Sequence, residues 1–456
     1  MVSAAEQLAS NLNLGAFSKA QDLKNRIWFT LAALIVYRFG TFIPIPGIDA
    51  TAFTEAFRSQ SSGILGMFNV FAGGAVERMA IFALNIMPYI SASIIIQLMT
   101  SMNKKLEALK KEGESGRKQI NQYTRYLTLV LAAFQAYGIA IGLEGSRSAA
   151  GSVVADPGWF FRATTVITLV GGTMFLMWLG EQITQRGVGN GISLIIFAGI
   201  VAGLPSAIVG LFEMARNGSL NTALLFALLL MMLAVVAAIV FMERAQRRLL
   251  IQYPKRQVGN RMFQGDASHL PLKLNSAGVI PPIFASSLLL LPITAAQFMS
   301  QGGQMGGGEW FNTVVAALGR GQPAHIIVYI LLIVFFAFFY TAVVFNPKET
   351  ADNLRKYGGF LPGIRPGEKT AEYIDYVLTR ITVVGAIYLA VVCVLPELLI
   401  AYAAVPFYFG GTSLLIAVSV TMDTVAQIQS HLLAHQYEGL IKKAKLRGAT
   451  SNKGRR

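Results

Sequence analysis

Apolar residues fall in ten runs, near 27–43, 79–100, 126–143, 163–180, 192–211, 221–242, 275–298, 325–345, 381–400 and 410–428. A helix needs about 20 such residues to cross the hydrocarbon of a bilayer. The pattern therefore predicts ten transmembrane helices. One apolar stretch breaks the rule. Residues 64–72 are too few to span, and Gly73, Gly74, Glu77 and Arg78 separate them from the next run. A short apolar piece on the margin of a span predicts a re-entrant half-helix, which membrane depth tolerates only beside protein or a water-filled cavity. The adjoining span, 79–100, carries Pro88. Its missing N–H frees the carbonyl of Leu84 and predicts a kink in mid-membrane. Ile86 and Ile90 flank that proline at i, i+4 and share one helix face. The expected arrangement is a plug, 62–74, beside an isoleucine-lined wall.

Five spans precede residue 212 and five follow it. With an odd number in each half, a related second half is inverted in the membrane. Spans 2 and 7 then occupy matching positions, and both are proline-interrupted, by Pro88 and by Pro281 with Pro282. Such paired interruptions point to the working site. The predicted organisation is a polar N-terminal segment 1–26, a first half 27–211, a second half 212–430, and a tail 431–456. The fold class is all-α and polytopic, with two pseudo-symmetric halves of five helices and a re-entrant plug.

Composition agrees. Of 456 residues, 54% are hydrophobic and only 13% charged, which excludes a soluble enzyme with one anchor. The single cysteine, Cys393, allows no intramolecular disulfide. Residues 1–26 are mostly polar and the first apolar run lacks a small-residue cleavage site, so no cleavable signal peptide is expected. The net charge of +15 takes its meaning from placement. Of 38 lysines and arginines, 31 lie in the N-terminus, the even-to-odd connections and the tail, against five in the other connections. The positive-inside rule then puts both termini in the cytoplasm. Two basic connections, 243–274 and 346–380, are also long and mix in aromatic and turn residues. Arg247, Arg248, Lys255, Arg256, Arg355, Lys356 and Arg365 are their candidate contacts for a cytoplasmic partner with an anionic face, RNA or protein. The tail, with Lys442, Lys443, Lys445 and Arg447, reads as a solvated or headgroup-facing helix.

Catalytic chemistry finds no support. Ionisable residues in or at the spans are few: Arg38, Glu397 and Asp423. The four histidines are scattered, so neither a metal site nor a cofactor site is expected. Gly187-Val188-Gly189-Asn190-Gly191 superficially resembles a phosphate loop, but it follows no strand and opens a span, so it reads as a tight turn. Directly after it, Ile192 and Ile196 repeat the i, i+4 spacing of Ile86 and Ile90. Spacing alone does not separate such a wall from ordinary packing. The residues by themselves give a ten-span pore or transporter with a plug and two docking loops, and leave the cargo open.

Longer stretches carry a resemblance: FIPIPGID (42–49), NIMPYISASIIIQL (85–98), KKEGESGRKQINQYTRY (110–126), FLMWLGEQITQRGVGNGISLIIFAGIVAGLP (175–205), HLPLKLNSAGVIPPIFASS (269–287), FNPKETADNLRKYGGFLPGIRPGEKTAEYID (345–375) and PFYFGGTSLLI (406–416). Taken in order over nearly the whole chain, they resemble the SecY family of bacterial protein-conducting channels. The resemblance implies a non-enzymatic pore in the bacterial cytoplasmic (inner) membrane. It would conduct unfolded preproteins and release hydrophobic segments sideways into lipid. It implies a pore ring of Ile86, Ile90, Ile192, Ile196, Ile283 and Ile416. The plug residues would be Ile64, Leu65, Met67, Phe68, Val70 and Phe71. The lateral gate would involve Pro88, Ser91, Ser93, Gln97, Asn275, Pro281 and Pro282, with the polar members holding the seam shut. Implied partners are the SecE and SecG membrane subunits, the SecA ATPase, a ribosome with its nascent chain, preprotein signal sequences and membrane lipid. One departure stands out: Asn85 occupies a position where glycine is more often expected.

Overall fold

The computed structural model describes residues 21–60, 69, 71–145, 147–148, 151–218, 222–253, 256–258, 261–263, 267–289, 322–403 and 411–451. In chain order the first half contains α1 (Gln21–Gly40), α2 (Ala50–Gln60), α3 (Met87–Met102), α4 (Lys104–Lys111) and α5 (Glu114–Gly145). Two short strands follow, β1 (Arg147–Ser148) and β2 (Gly151–Ser152), then α6 (Trp159–Arg186) and α7 (Gly191–Arg216). The second half opens with α8 (Thr222–Arg244), β3 (Gln246–Gln252), β4 (Arg256–Val258), β5 (Arg261–Phe263) and β6 (Ala267–Lys273). It continues with α9 (Ile280–Leu289), α10 (Pro323–Val344), α11 (Pro347–Lys356), α12 (Glu368–Ala403) and α13 (Gly411–Ser451).

The architecture is a mostly helical, multi-pass membrane protein. Among the described residues seven helices are long and apolar enough to cross a membrane: α5, α6, α7, α8, α10, α12 and α13. The three other expected spans map to α1, α3 and α9. Helix α1 has 20 residues but carries Asp22, Lys24, Arg26 and Arg38. Helix α3 has only 16 residues, and for α9 residues 290–298 of the expected span lie outside the described set.

Span 2 departs most from expectation. Residues 81–86 are turns, and the helix starts at Met87. Met79 and Asn85 hold φ of 43° and 49°, in the left-handed region that breaks a right-handed helix. Pro88 therefore sits in the first helical turn, where a missing N–H costs nothing. It starts a helix instead of kinking one, and the Leu84 carbonyl accepts from the Met87 amide at 3.4 Å. Pro281 and Pro282 likewise fall in the first turn of α9.

Helices α7 and α1 of the first half both pack on α13 of the second, so the two halves meet. Their common core joins Ile86, Ile90, Ile196 and Ile200 to Phe284, Ile333, Leu415 and Ile416. The Gly187–Gly191 stretch is the turn into α7. Asn190 caps the helix by accepting from the Ile192 amide at 3.2 Å. A Cβ on Gly191 would stand 1.9 Å from the Gly180 carbonyl oxygen, so only glycine lets α7 begin this close to α6.

The described residues of the 243–274 segment include four strands. Strands β3 and β6 pair antiparallel from Gln246↔Lys273 to Gln252↔Ala267, and β4 pairs with β5. Leu249 and Ile251 point inward while Arg247, Arg248 and Leu250 are exposed, the period-2 alternation of a half-buried strand. In the 346–380 segment Asn346 caps α11 by accepting from the Lys348 and Glu349 amides.

Candidate functional site

A small cavity lies where the two halves meet. Phe71, Asn85, Ile86, Met87, Ile90, Ile196, Ile283, Ser286 and Ile416 line it. The lining comes from the turn before α3 and from α3, α7, α9 and α13. The enclosed space is about 10 Å3, room for roughly one water. Five of the six isoleucines singled out in the sequence thus converge on one point, although up to 330 residues separate them in the chain.

Ile192 does not line the cavity. It is half-buried at the edge of the same core, and a Cβ on Gly180 would stand 3.1 Å from its Cγ1. It occupies the tight α6–α7 contact, one turn away from Ile196. Phe71, expected in the plug, forms part of the cavity wall. Ile64, Leu65, Met67, Phe68 and Val70 lie outside the described residues. Met87 and Ser286 were not anticipated. Met87 lies between Ile86 and Pro88, and Ser286 lies three residues after Ile283, but no spacing signal marks either side chain.

The expected polar lock between spans 2 and 7 takes a different form. Gln97 donates to Ser93 Oγ at 3.4 Å within α3. Asn275 donates to Glu243 Oε1 at 2.6 Å and to the Gly278 carbonyl at 3.1 Å, so it ties the start of α9 to α8. Ser91 is buried, as are Pro88, Pro281 and Pro282. Helix α3 with the turn before it meets α9 around the cavity through Ile86, Ile90 and Ile283, with a long contact from Ser287 Oγ to Met87 Sδ at 4.0 Å. The reason for the Gln97–Ser93 bond is spacing: residues at i, i+4 share a helix face, so the glutamine reaches its own helix first.

The two basic segments form one body. Gln252 and Phe360 exchange both backbone hydrogen bonds, at 2.9 and 3.0 Å. Leu249 and Leu272 share a buried cluster with Leu361, Ile374, Val377 and Ile381. Arg247, Arg248, Arg355, Lys356 and Arg365 are exposed on this body. Lys255 lies outside the described residues, and Arg256 lies in β4. Gly363 and Gly367 hold φ of 79° and 107° around Arg365. Thr370 Oγ1 donates to the Arg365 carbonyl at 2.9 Å, which fixes the turn.

The comparisons with known proteins bear on what this geometry belongs to. The SecY family model matches residues 80–425. The chain is 57% identical over 433 residues to the protein translocase subunit SecY of Rickettsia conorii, covering 94% of this chain and 99% of that one. It is 56% identical over 427 residues to the SecY translocase subunit of Escherichia coli K12, covering 94% and 96%. Among solved structures, a protein-conducting channel aligns with a TM-score of 0.66 at 17% identity, covering 90% and 92%. Sec61 in the canine ribosome–channel complex aligns with a TM-score of 0.63 at 17% identity, with the same coverage. The structural likeness shows a shared fold.

Proposed function

The chain belongs to the SecY family, and on that premise we propose that it is the pore-forming subunit of a protein translocase. It conducts unfolded preproteins across a bacterial cytoplasmic membrane and passes hydrophobic segments sideways into lipid. The observation that carries this reading is the cavity: isoleucines from both halves close on space for about one water. A constriction walled by aliphatic side chains excludes water and ions by dewetting, and the isoleucine side chains themselves part around a chain by rotamer changes. The seam between α3 and α9, with its apolar contacts and no strong polar lock among the described residues, is the exit to lipid. A signal segment with about ten leucine-like residues gains on the order of 5 kcal/mol by leaving through it, at about 0.3–0.6 per residue. A polar segment gains nothing and goes on through the pore.

The work of pushing comes from outside, from the SecA ATPase or a translating ribosome docked on the body built from 243–274 and 346–380. SecE and SecG complete the membrane complex. The charge asymmetry, 31 basic residues against five, supports placing that body and both termini in the cytoplasm. The halves 27–211 and 212–430 then act as the two jaws, with 62–74 as the plug.

Membrane vesicles test function and orientation together. Inverted vesicles carrying the chain with its membrane partners should draw an added preprotein into a protease-protected space when SecA and ATP are supplied. Right-side-out vesicles should not. Uptake of a small solute along an ion gradient, with no preprotein protected in either orientation, would identify an ion-coupled transporter instead.

A further inference from the structure

Three consecutive backbone carbonyls beside the cavity each accept a hydrogen bond from a different side chain. Asn85 Nδ2 donates to the Phe71 carbonyl at 2.7 Å. Tyr37 Oη donates to the Ala72 carbonyl at 3.4 Å, and the Arg38 guanidinium donates to the Gly73 carbonyl. Buried carbonyls in helices find backbone partners. Here the Ala72 carbonyl also accepts from the Ala75 amide at 3.3 Å, whereas the Phe71 and Gly73 carbonyls are held by side chains from the turn before α3 and from α1. On its other side lies Gly199 of α7. A Cβ there would stand 2.4 Å from the Phe71 carbonyl oxygen and 3.0 Å from Tyr37 Oη, so the stem lies where it does because residue 199 is glycine.

Asn85 is the member of this set that also lines the cavity. Its φ of 49° explains which residues the position admits. Glycine enters the left-handed region freely, and asparagine is among the few other residues that tolerate it. Glycine would satisfy the backbone and stop there. Asparagine satisfies the backbone and adds an amide that reaches the stem. Asn85 is buried, at 3% exposure.

We propose that Asn85 is a gating residue of the channel: with Tyr37 and Arg38 it latches the Phe71–Gly73 stem to the wall of the closed cavity. This rests on the channel reading above and goes beyond it by assigning what sets the opening threshold. A signal segment opens the channel with the free energy it gains on entering lipid. A latch that must break first demands a longer or more apolar segment. Removing one buried hydrogen bond shifts the open-to-closed ratio by about fivefold.

The test uses the full channel with its membrane partners. Asn85→Gly keeps the left-handed backbone and deletes only the amide. Tyr37→Phe deletes only a hydroxyl, and Gly199→Ala pushes the Phe71 carbonyl away. Each should raise closed-state ion leak, with Asn85→Gly about fivefold above the parent. Asn85→Gly should also raise import of a preprotein whose signal segment is shortened by two leucines, relative to the full-length signal in the same vesicles. That ratio is independent of channel amount, so a merely less stable protein would not move it. Asn85→Gly matching the parent in both leak and import ratio would overturn the latch. The Ile90→Ser, Ile196→Ser double variant separates the two readings. If it leaks while Asn85→Gly does not, the latch fails and the channel stands. If neither leaks and no preprotein is imported, the channel reading fails and takes the latch with it.

Discussion

Replacing Ile90 and Ile196 together by serine should make a tight membrane leak ions. Both side chains line a space that holds about one water, and both are more than nine-tenths buried. Serine is smaller at each site, so the cavity gains room for several waters at about 30 Å3 each, and two hydroxyls supply the polar partners those waters need. Keeping an isoleucine side chain dry is worth about 1.5–3 kcal/mol. About 1.4 kcal/mol already shifts a wet-to-dry ratio tenfold, so the leak in planar bilayers should rise about tenfold or more. Ile35 and Ile167, which are 69% and 73% exposed on the outer surface of the bundle, provide the control. Changing that pair to serine should leave the bilayer tight. A double variant at 90 and 196 no leakier than the parent would mean that these isoleucines do not form the seal.

The second large effect is expected at Arg365. The residue is exposed at a tip whose backbone is fixed from several directions: Pro362 and Pro366, the positive φ of Gly363 and Gly367, and the Thr370 hydroxyl on its carbonyl. Leu361, close by, is buried in the cluster that joins both basic segments. A long side chain on a rigid tip loses little entropy on docking, and a guanidinium makes planar, two-point contacts that an ammonium cannot copy. Charge-assisted hydrogen bonds are worth about 1.5–3 kcal/mol each. Arg365→Glu should therefore lower SecA-driven import about ten- to hundredfold at matched channel levels, and Arg365→Lys should lower it severalfold. Membrane insertion and subunit assembly should be normal in both, since the side chain packs against nothing inside. Undiminished import by the glutamate variant would leave Arg365 as one more positive charge on the cytoplasmic side.

What the sequence made legible follows from what hydropathy measures. Transfer into lipid is a sum over side chains, so the long apolar helices α5, α6, α7, α8, α10, α12 and α13 stood out. Backbone conformation is not part of that sum. Residues 79–86 are as apolar as any span, yet they run in turns through Met79 and Asn85 at positive φ. That moved the helix start to Met87 and turned Pro88 from a kink into a beginning. The unexpected asparagine at 85 was the visible trace of this turn. The β3–β6 hairpin was hidden for a different reason: its alternation is only a few residues long and is set among arginines, so it read as a charged connection. Ile86 and Ile90, which share the i, i+4 spacing, both line the cavity, but the same spacing could not place Ile192, because the close approach of Gly180 and Gly191 draws that turn of α7 against α6. The union of the two basic segments through Gln252 and Phe360 is a long-range pairing that no local pattern announces.

Whether chains pass through this cavity is tested most directly by placing a photocrosslinking residue in turn at Ile90, Ile196, Ile283 and Ile416 and arresting a preprotein halfway through. The arrested chain should crosslink from all four positions, which lie on α3, α7, α9 and α13 and face one space. It should not crosslink from Ile35 on the outer surface. An arrested, partly protected preprotein that crosslinks from none of the four, or from Ile35 as strongly as from them, would contradict a path through the isoleucine cavity.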